Sequence, residues 1–336
     1  MAHELEQLED GTTAFVSRRI PGWHRLGQVE DVELLTADAA LSAGKLKGWD
    51  VQTFPLIAGT HQQGGWQTVQ GRVATVRRNP LDPTRSDVLG IVSDEYQVIQ
   101  NEEAFAFLDA LVDDGLASYE TAGSLRGGRQ VFVTMRLPEA MKVGGADVVD
   151  WYIACMTSHD GSMAFTVLPT PVRVVCANTQ SAALQGAQSL YRVLHTSGAL
   201  PRVQDARDAL ALSYSTRDSW GAAMERLLDT EMDARAFSTF VAEHVVPMPD
   251  PAGPEGQQPA RRVEERVLRQ RSELDALFRQ AETQDFGRWT RYGAFNTVAE
   301  WSEWVRPKTL DERSTVSTLM GATAQLRSNV AQLLLK

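Results

Sequence analysis

Val148-Val149-Asp150-Trp151-Tyr152-Ile153-Ala154-Cys155-Met156-Thr157-Ser158-His159-Asp160-Gly161-Ser162-Met163-Ala164-Phe165-Thr166-Val167-Leu168 reads as two strands and a turn. The run from Val148 to Ser158 is apolar and β-branched enough for a strand. Asp160-Gly161 is a hairpin dipeptide, because both central positions of a tight turn want positive φ. Met163 to Leu168 is then the returning strand. A third strand, Val172 to Cys176, leads into a helix with Asn178 as its N-cap and Ala182, Ala183 and Leu184 inside it. Tyr191 to His195 reads as one more strand.

The same pattern extends upstream. Ala117–Leu125 and Arg129–Leu137 form a hairpin closed at Arg126-Gly127-Gly128. Before it, Asn101 caps a helix running to about Asp114, with Ala104, Phe105, Leu108, Leu111 and Val112 on one face. Asp87–Val92 and Tyr96–Ile99 read as short strands. Val69, Gly71, Val73 and Thr75 alternate with polar partners, and Trp49 to Ile57 is a strand. The fold class is therefore α+β: antiparallel strand hairpins with packed helices, followed by a mostly helical C-terminal region.

Five segments follow from these readings. Residues 1–48 form an N-terminal arm with a short helix, for which Thr36 is a cap candidate. Residues 49–200 are the α+β core domain. Residues 201–246 are helical, with helices over 203–229 and 232–245. Residues 247–259, rich in Pro and Gly, are a linker. Residues 260–336 are a helical C-terminal region, with helices near 260–281, 289–304 and 310–335.

Bulk properties narrow the function classes. The chain has 336 residues with a formal net charge of −10, so a generic basic DNA-coating protein is excluded while a local basic groove is not. There is no stretch of about 18 apolar residues for a membrane span. The acidic start, Met1-Ala2-His3-Glu4, is unlike a secretory signal. Two cysteines, Cys155 and Cys176, build no disulfide framework and suit a reducing cytoplasm.

Residues 161–204 hold Arg173, Arg192, Arg202 and His195 but no Asp or Glu, in a chain with 43 acids. A helix start at Asn178, directly after an arginine-bearing strand, suits an anion. The competing explanation is that apolar strands have no room for acids. Arg126-Gly127-Gly128-Arg129 offers a second anion seat, since glycines let backbone approach a phosphate; equally, hairpin turns need glycine and their arginines face solvent. It lacks the Gly-Lys-Ser/Thr ending of a phosphate-binding loop. Cys176 with His159 is the nucleophile–base pair to test, set against a buried structural cysteine. Histidines at zinc spacing are absent, and the sequence implies no cofactor and no metal. Trp23, Trp49, Trp66, Trp151, Phe165 and Tyr191, interleaved with arginines, are base-stacking candidates or core residues. Trp301 and Trp304, on one late helix, read as core.

Three motifs in order resemble those of the phage/plasmid-like domain-of-unknown-function family 932, in its actinobacteriophage and plasmid branch. They are Gly22-Trp23-His24-Arg25-Leu26-Gly27; Ser158-His159-Asp160-Gly161-Ser162 followed by Arg173-Val174-Val175-Cys176-Ala177-Asn178-Thr179; and Tyr292-Gly293-Ala294-Phe295-Asn296-Thr297-Val298-Ala299-Glu300-Trp301. The family usually continues the last motif with Asp-His, where this chain has Ser302-Glu303, which weakens any histidine site there. The resemblance implies a mobile genetic element and no known activity. At the level of fold alone, the hairpins and helix are similar to the core of phage single-strand annealing recombinases. The expectation is a non-catalytic nucleic-acid-binding protein. Single-stranded DNA is the favoured partner, contacted by Arg126, Arg129, Arg173, Asn178, Arg192 and Arg202, and homo-oligomers are permitted. The alternatives are a thiol-dependent enzyme using Cys176 and His159, and a protein that binds a host defence factor.

Overall fold

A computed structural model describes residues 4–22, 25–30, 34–59, 61, 64–138, 140–171, 191–204, 208–249, 260–281, 285–305 and 322–336. Two compact units result, one from His3–Ala140 and Asp150–Arg217, the other from Met141–Val149 and Asp218–Lys336. The fold is α+β.

The first unit holds strands β1 (Phe15–Arg18), β2 (Gln28–Glu30), β3 (Gln52–Gly59), β4 (Trp66–Arg78), β5 (Ser86–Ser93), β6 (Ser118–Leu125) and β7 (Gln130–Arg136). In the second unit β8 (Met141–Val143) and β9 (Asp147–Val149) form a small hairpin. The first unit resumes with β10 (Tyr152–Ser158), β11 (Phe165–Thr170) and β12 (Tyr191–Val193). Its main sheet has the order β12-β11-β10-β7-β6-β1-β2. All of its pairings are antiparallel except β1 with β2. Strands β3, β4 and β5 make a separate three-stranded sheet.

The hairpins β6–β7 and β10–β11 stand where their sequence patterns place them. Both strands of each are buried, with Phe132, Val133, Cys155, Phe165 and Leu168 wholly enclosed. A strand covered on both faces has side chains buried at successive positions, as in Tyr152–Ser158 and Phe165–Thr170, instead of at every second one. The turn after β10 is wider than the Asp-Gly dipeptide suggests. Only Gly161 has positive φ, +74°. Ser158 Oγ donates to Met163 O at 2.8 Å and accepts from Met163 N at 3.0 Å, so a side chain closes a longer loop.

The single strand expected from Val148 to Ser158 is in fact two. Asp147–Val149 pairs with Met141–Val143. The chain then re-enters the main sheet at Tyr152, where Arg136 donates to Asp150 at 2.6 Å and Leu137 N to Trp151 O at 2.9 Å. A strand at Tyr96–Ile99 is also absent. Tyr96 stacks on His195 at 4.8 Å instead, and Gln97 N donates to His195 O at 3.0 Å. Gln100, not Asn101, is the N-cap of the helix that follows, and Asn101 turns its amide inward. That helix comes in three pieces, Asn101–Phe105, a 3₁₀ turn Ala106–Leu108, and Asp109–Asp113.

The second unit is helical apart from β8–β9. Its helices include Ala234–Phe240, Ala260–Gln280, Arg291–Glu300 and Ala322–Leu334. Asp233 and Thr290 cap two of them through side-chain oxygens. Leu227, Phe237, Leu274, Phe278, Val298 and Trp301 build the core, with Phe237 and Phe278 stacked at 4.1 Å. The small hairpin is pinned to these helices. Val143 is buried among them, Gly144 N donates to Glu225 at 2.8 Å, and the Tyr292 hydroxyl donates to Asp147. No helix among the described residues is long and apolar enough to cross a membrane.

Candidate functional site

Two hairpin tips meet at one end of the main sheet. His159 N donates to Arg129 O at 2.8 Å, and Gln130 Nε2 donates to Ser162 Oγ at 2.8 Å. The three-stranded sheet closes over the same end. A Cβ on Gly90 would sit 2.6 Å from the Asp160 Cβ, so only glycine lets β5 pass the turn this closely. Thr75 on β4 donates to His159 O at 2.6 Å, and Tyr96 OH donates to Ser158 O at 2.6 Å.

Beneath this end lies a buried polar cluster. Asn101 donates from Nδ2 to Leu46 O at 2.8 Å, so its Oδ1 must accept, and His159 Nε2 donates to it at 2.9 Å. The other ring nitrogen, Nδ1, is buried with no hydrogen-bond partner among the described residues. His159 lies against Trp49, with ring centroids 5.7 Å apart. The opposing cation is Arg77, whose guanidinium stands 4.1 Å over the Trp49 ring. Arg77 is 3% exposed and is held by the buried Glu6 carboxylate and by Asp87. Ser124 also donates to Glu6, at 2.6 Å.

Burial, with the His195 ring and the Arg77 charge nearby, pushes the His159 pKa down to about 3. His195 is lowered by burial as well. Its Nδ1 donates to Gln97 O at 3.1 Å, which leaves Nε2 to accept from Thr157 Oγ1 at 3.3 Å. Both imidazoles are therefore neutral. An imidazole this enclosed, with its donor committed to Asn101, is a structural element. Catalytic bases sit within reach of a substrate, with a pKa near the working pH. Cys155 is likewise wholly buried, and burial raises its thiol.

The predicted site residues fall in different places. Arg126 is tied to Glu4, its Nε donating at 2.6 Å. Arg129 is exposed and has no side-chain partner among the described residues. Arg192, exposed on the edge strand β12, is three strand spacings from β7, about 14 Å. Among the described residues Arg202 donates only to Gly198 O and Thr196 Oγ1, at 3.1 and 3.3 Å. Arg173, Cys176 and Asn178 lie outside the described residues.

The glycines of the β6–β7 tip have their own explanation. Gly128 has φ +86°, and a Cβ there would come within 2.6 Å of the Arg77 guanidinium. Close approach to Arg77 accounts for it. Gly128→Ala is expected to destabilise the protein by about 1–3 kcal/mol through backbone strain and this overlap. An unchanged urea midpoint would show that Arg77 can move aside.

Of the aromatic candidates, Trp49, Trp151 and Phe165 are buried. The Tyr191 hydroxyl donates to Arg202 O at 2.6 Å. Trp66 alone stands out, 74% exposed. Trp23 lies outside the described residues. In the second unit, Ser302 is buried and donates to Ala299 O at 2.9 Å. Sequence patterns do not reveal Glu6, Trp49, Arg77 and Asn101 as one cluster, because their partners are far apart along the chain. A second acid-free run, Val51 to Leu81, carries Trp66 and is the signal that could have singled it out.

A family model described as a domain of unknown function, DUF932, matches residues 88–329, well over half of the chain. The chain belongs to the DUF932 family. The DUF932 match takes in both hairpin tips, Asn101 and His159, while Glu6, Trp49, Thr75 and Arg77 precede it. No curated protein and no solved structure matches this DUF932 chain.

Proposed function

We propose that this protein is a non-catalytic nucleic-acid-binding protein of a phage or plasmid, acting in the cytoplasm with single-stranded DNA as its preferred partner. The observation that carries the reading is a contrast among arginines of the first unit. Arg19, Arg77, Arg78, Arg85, Arg126 and Arg136 each take a carboxylate. Arg129, Arg192 and Arg202 take none among the described residues, although the chain carries 43 acids. Exposed guanidiniums without counter-charges suit phosphates, which they bind in a fork.

The test is a salt titration of single-stranded DNA binding. Log affinity should fall linearly with log salt, and the slope reports the phosphates neutralised. Replacing Arg129 and Arg192 by Gln should reduce the slope by about 0.7 for each phosphate no longer neutralised. A wild-type protein that binds no DNA at low salt ends the proposal.

A further inference from the structure

Strands β3 and β4 continue past the body of the first unit as an exposed ladder. No residue from Gln52 to Gly59, or from Trp66 to Arg72, is buried, yet pairing persists out to Gly59 opposite Trp66. Most strands bury at least one face, and a two-stranded hairpin by itself is only marginally stable. The composition of this arm is therefore set by something other than a core.

That composition points one way. From Val51 to Leu81 there is no Asp or Glu, whereas Gln52, Gln67, Gln70 and Arg72 supply polar groups. Trp66 is the most exposed large apolar side chain among the described residues. Ile57, 59% exposed, shares its face, because Ile57 pairs with Thr68 and Gly59 with Trp66. At the base of the arm Arg77 and Arg78 are occupied by carboxylates. Arg72 is exposed and takes none among the described residues. A protein partner disfavours acids here only where its own surface is acidic. A polyphosphate chain always does, because each carboxylate beside it repels.

We infer that the β3–β4 hairpin is a base-stacking arm for single-stranded nucleic acid. Trp66, with Ile57 on the same face, lies against a base, and Arg72 meets a phosphate. The inference rests on the nucleic-acid reading above and extends it to residues that precede the DUF932 match. Stacking is tolerant of sequence because every base has a π-face. Stacking on Trp66 thus contributes affinity with little salt dependence, unlike Arg72, Arg129 and Arg192.

The experiment uses the full chain and a fluorescein-labelled oligothymidylate. Trp66→Ala should weaken binding by about tenfold and leave the salt slope unchanged. Trp66→Phe should recover most of the affinity. Because Trp66 is exposed, neither variant should shift the urea midpoint. Wild-type binding that Trp66→Ala leaves intact overturns the arm while sparing the broader reading. No wild-type binding overturns both. If Trp66→Ala instead dissociates a dimer and DNA affinity is unaltered, the arm is a contact between copies and the inference is wrong.

Discussion

Arg77→Ala should destabilise the protein by about 3–5 kcal/mol, the scale for removing one partner of a buried ion pair. The guanidinium is 3% exposed and Glu6 is 6% exposed. Removing Arg77 leaves the Glu6 carboxylate buried with, among the described residues, only the Ser124 hydroxyl donating to it at 2.6 Å. The same change strips the cation from the Trp49 face and opens a void beneath Gly128. Asp87 suffers less, since it is partly exposed and Asn79 Nδ2 still donates to it at 3.1 Å. The double variant Arg77→Met with Glu6→Leu should therefore lose less than the two single changes together, because no unpaired charge stays behind. Urea midpoints for the four proteins measure this coupling. If Arg77→Ala unfolds within about 1 kcal/mol of the parent, the cluster is not holding the three-stranded sheet to the hairpin tips.

That cluster also shows where sequence reading stops. The hairpins β6–β7 and β10–β11 were legible because apolar, β-branched runs and glycine turns are local signals. The same holds for the helices expected over 232–245 and near 289–304, which begin at Ala234 and Arg291. Arg77 was not legible. Beside Arg78 and Pro80 it looks like a polar stop to a strand, and its partner Glu6 is 71 positions away. His159 looked like a base on a hairpin shoulder, and only the inward turn of Asn101 makes it a structural donor. Trp49 and Trp66 are alike in sequence, yet one floors the cluster and the other stands on the overhanging end of a strand pair. Tertiary packing alone separates them. The second acid-free run, Val51 to Leu81, was visible in the sequence, but its meaning came only with the exposure of the arm. The strand-to-helix segment Arg173–Thr179 lies outside the described residues, and the anion seat expected at Asn178 belongs with the proposed function.

His159 gives the protein an acid-sensitive stability. Its ordinary pKa is about 6.5 in an unfolded chain, whereas burial lowers it to about 3 in the native state. Below pH 6.5 the unfolded chain takes up a proton that the native state refuses, so native stability must fall as the pH drops. The slope for this residue is about 1.4 kcal/mol per pH unit and persists until the pH nears the native pKa. Between about pH 6 and pH 4 it amounts to about 2–3 kcal/mol. Carboxylates add their own pH dependence, and a comparison with His159→Gln removes it. Glutamine keeps a donor for Asn101 Oδ1 but cannot ionise, so the variant's urea midpoints should fall less steeply with acid. A residual slope should remain from His195, which burial also holds neutral. Parallel curves for the two proteins would mean that water reaches His159 in the native state. An accessible ring would then have to be reconsidered as a base, the role that its enclosure by Trp49 and Asn101 now argues against.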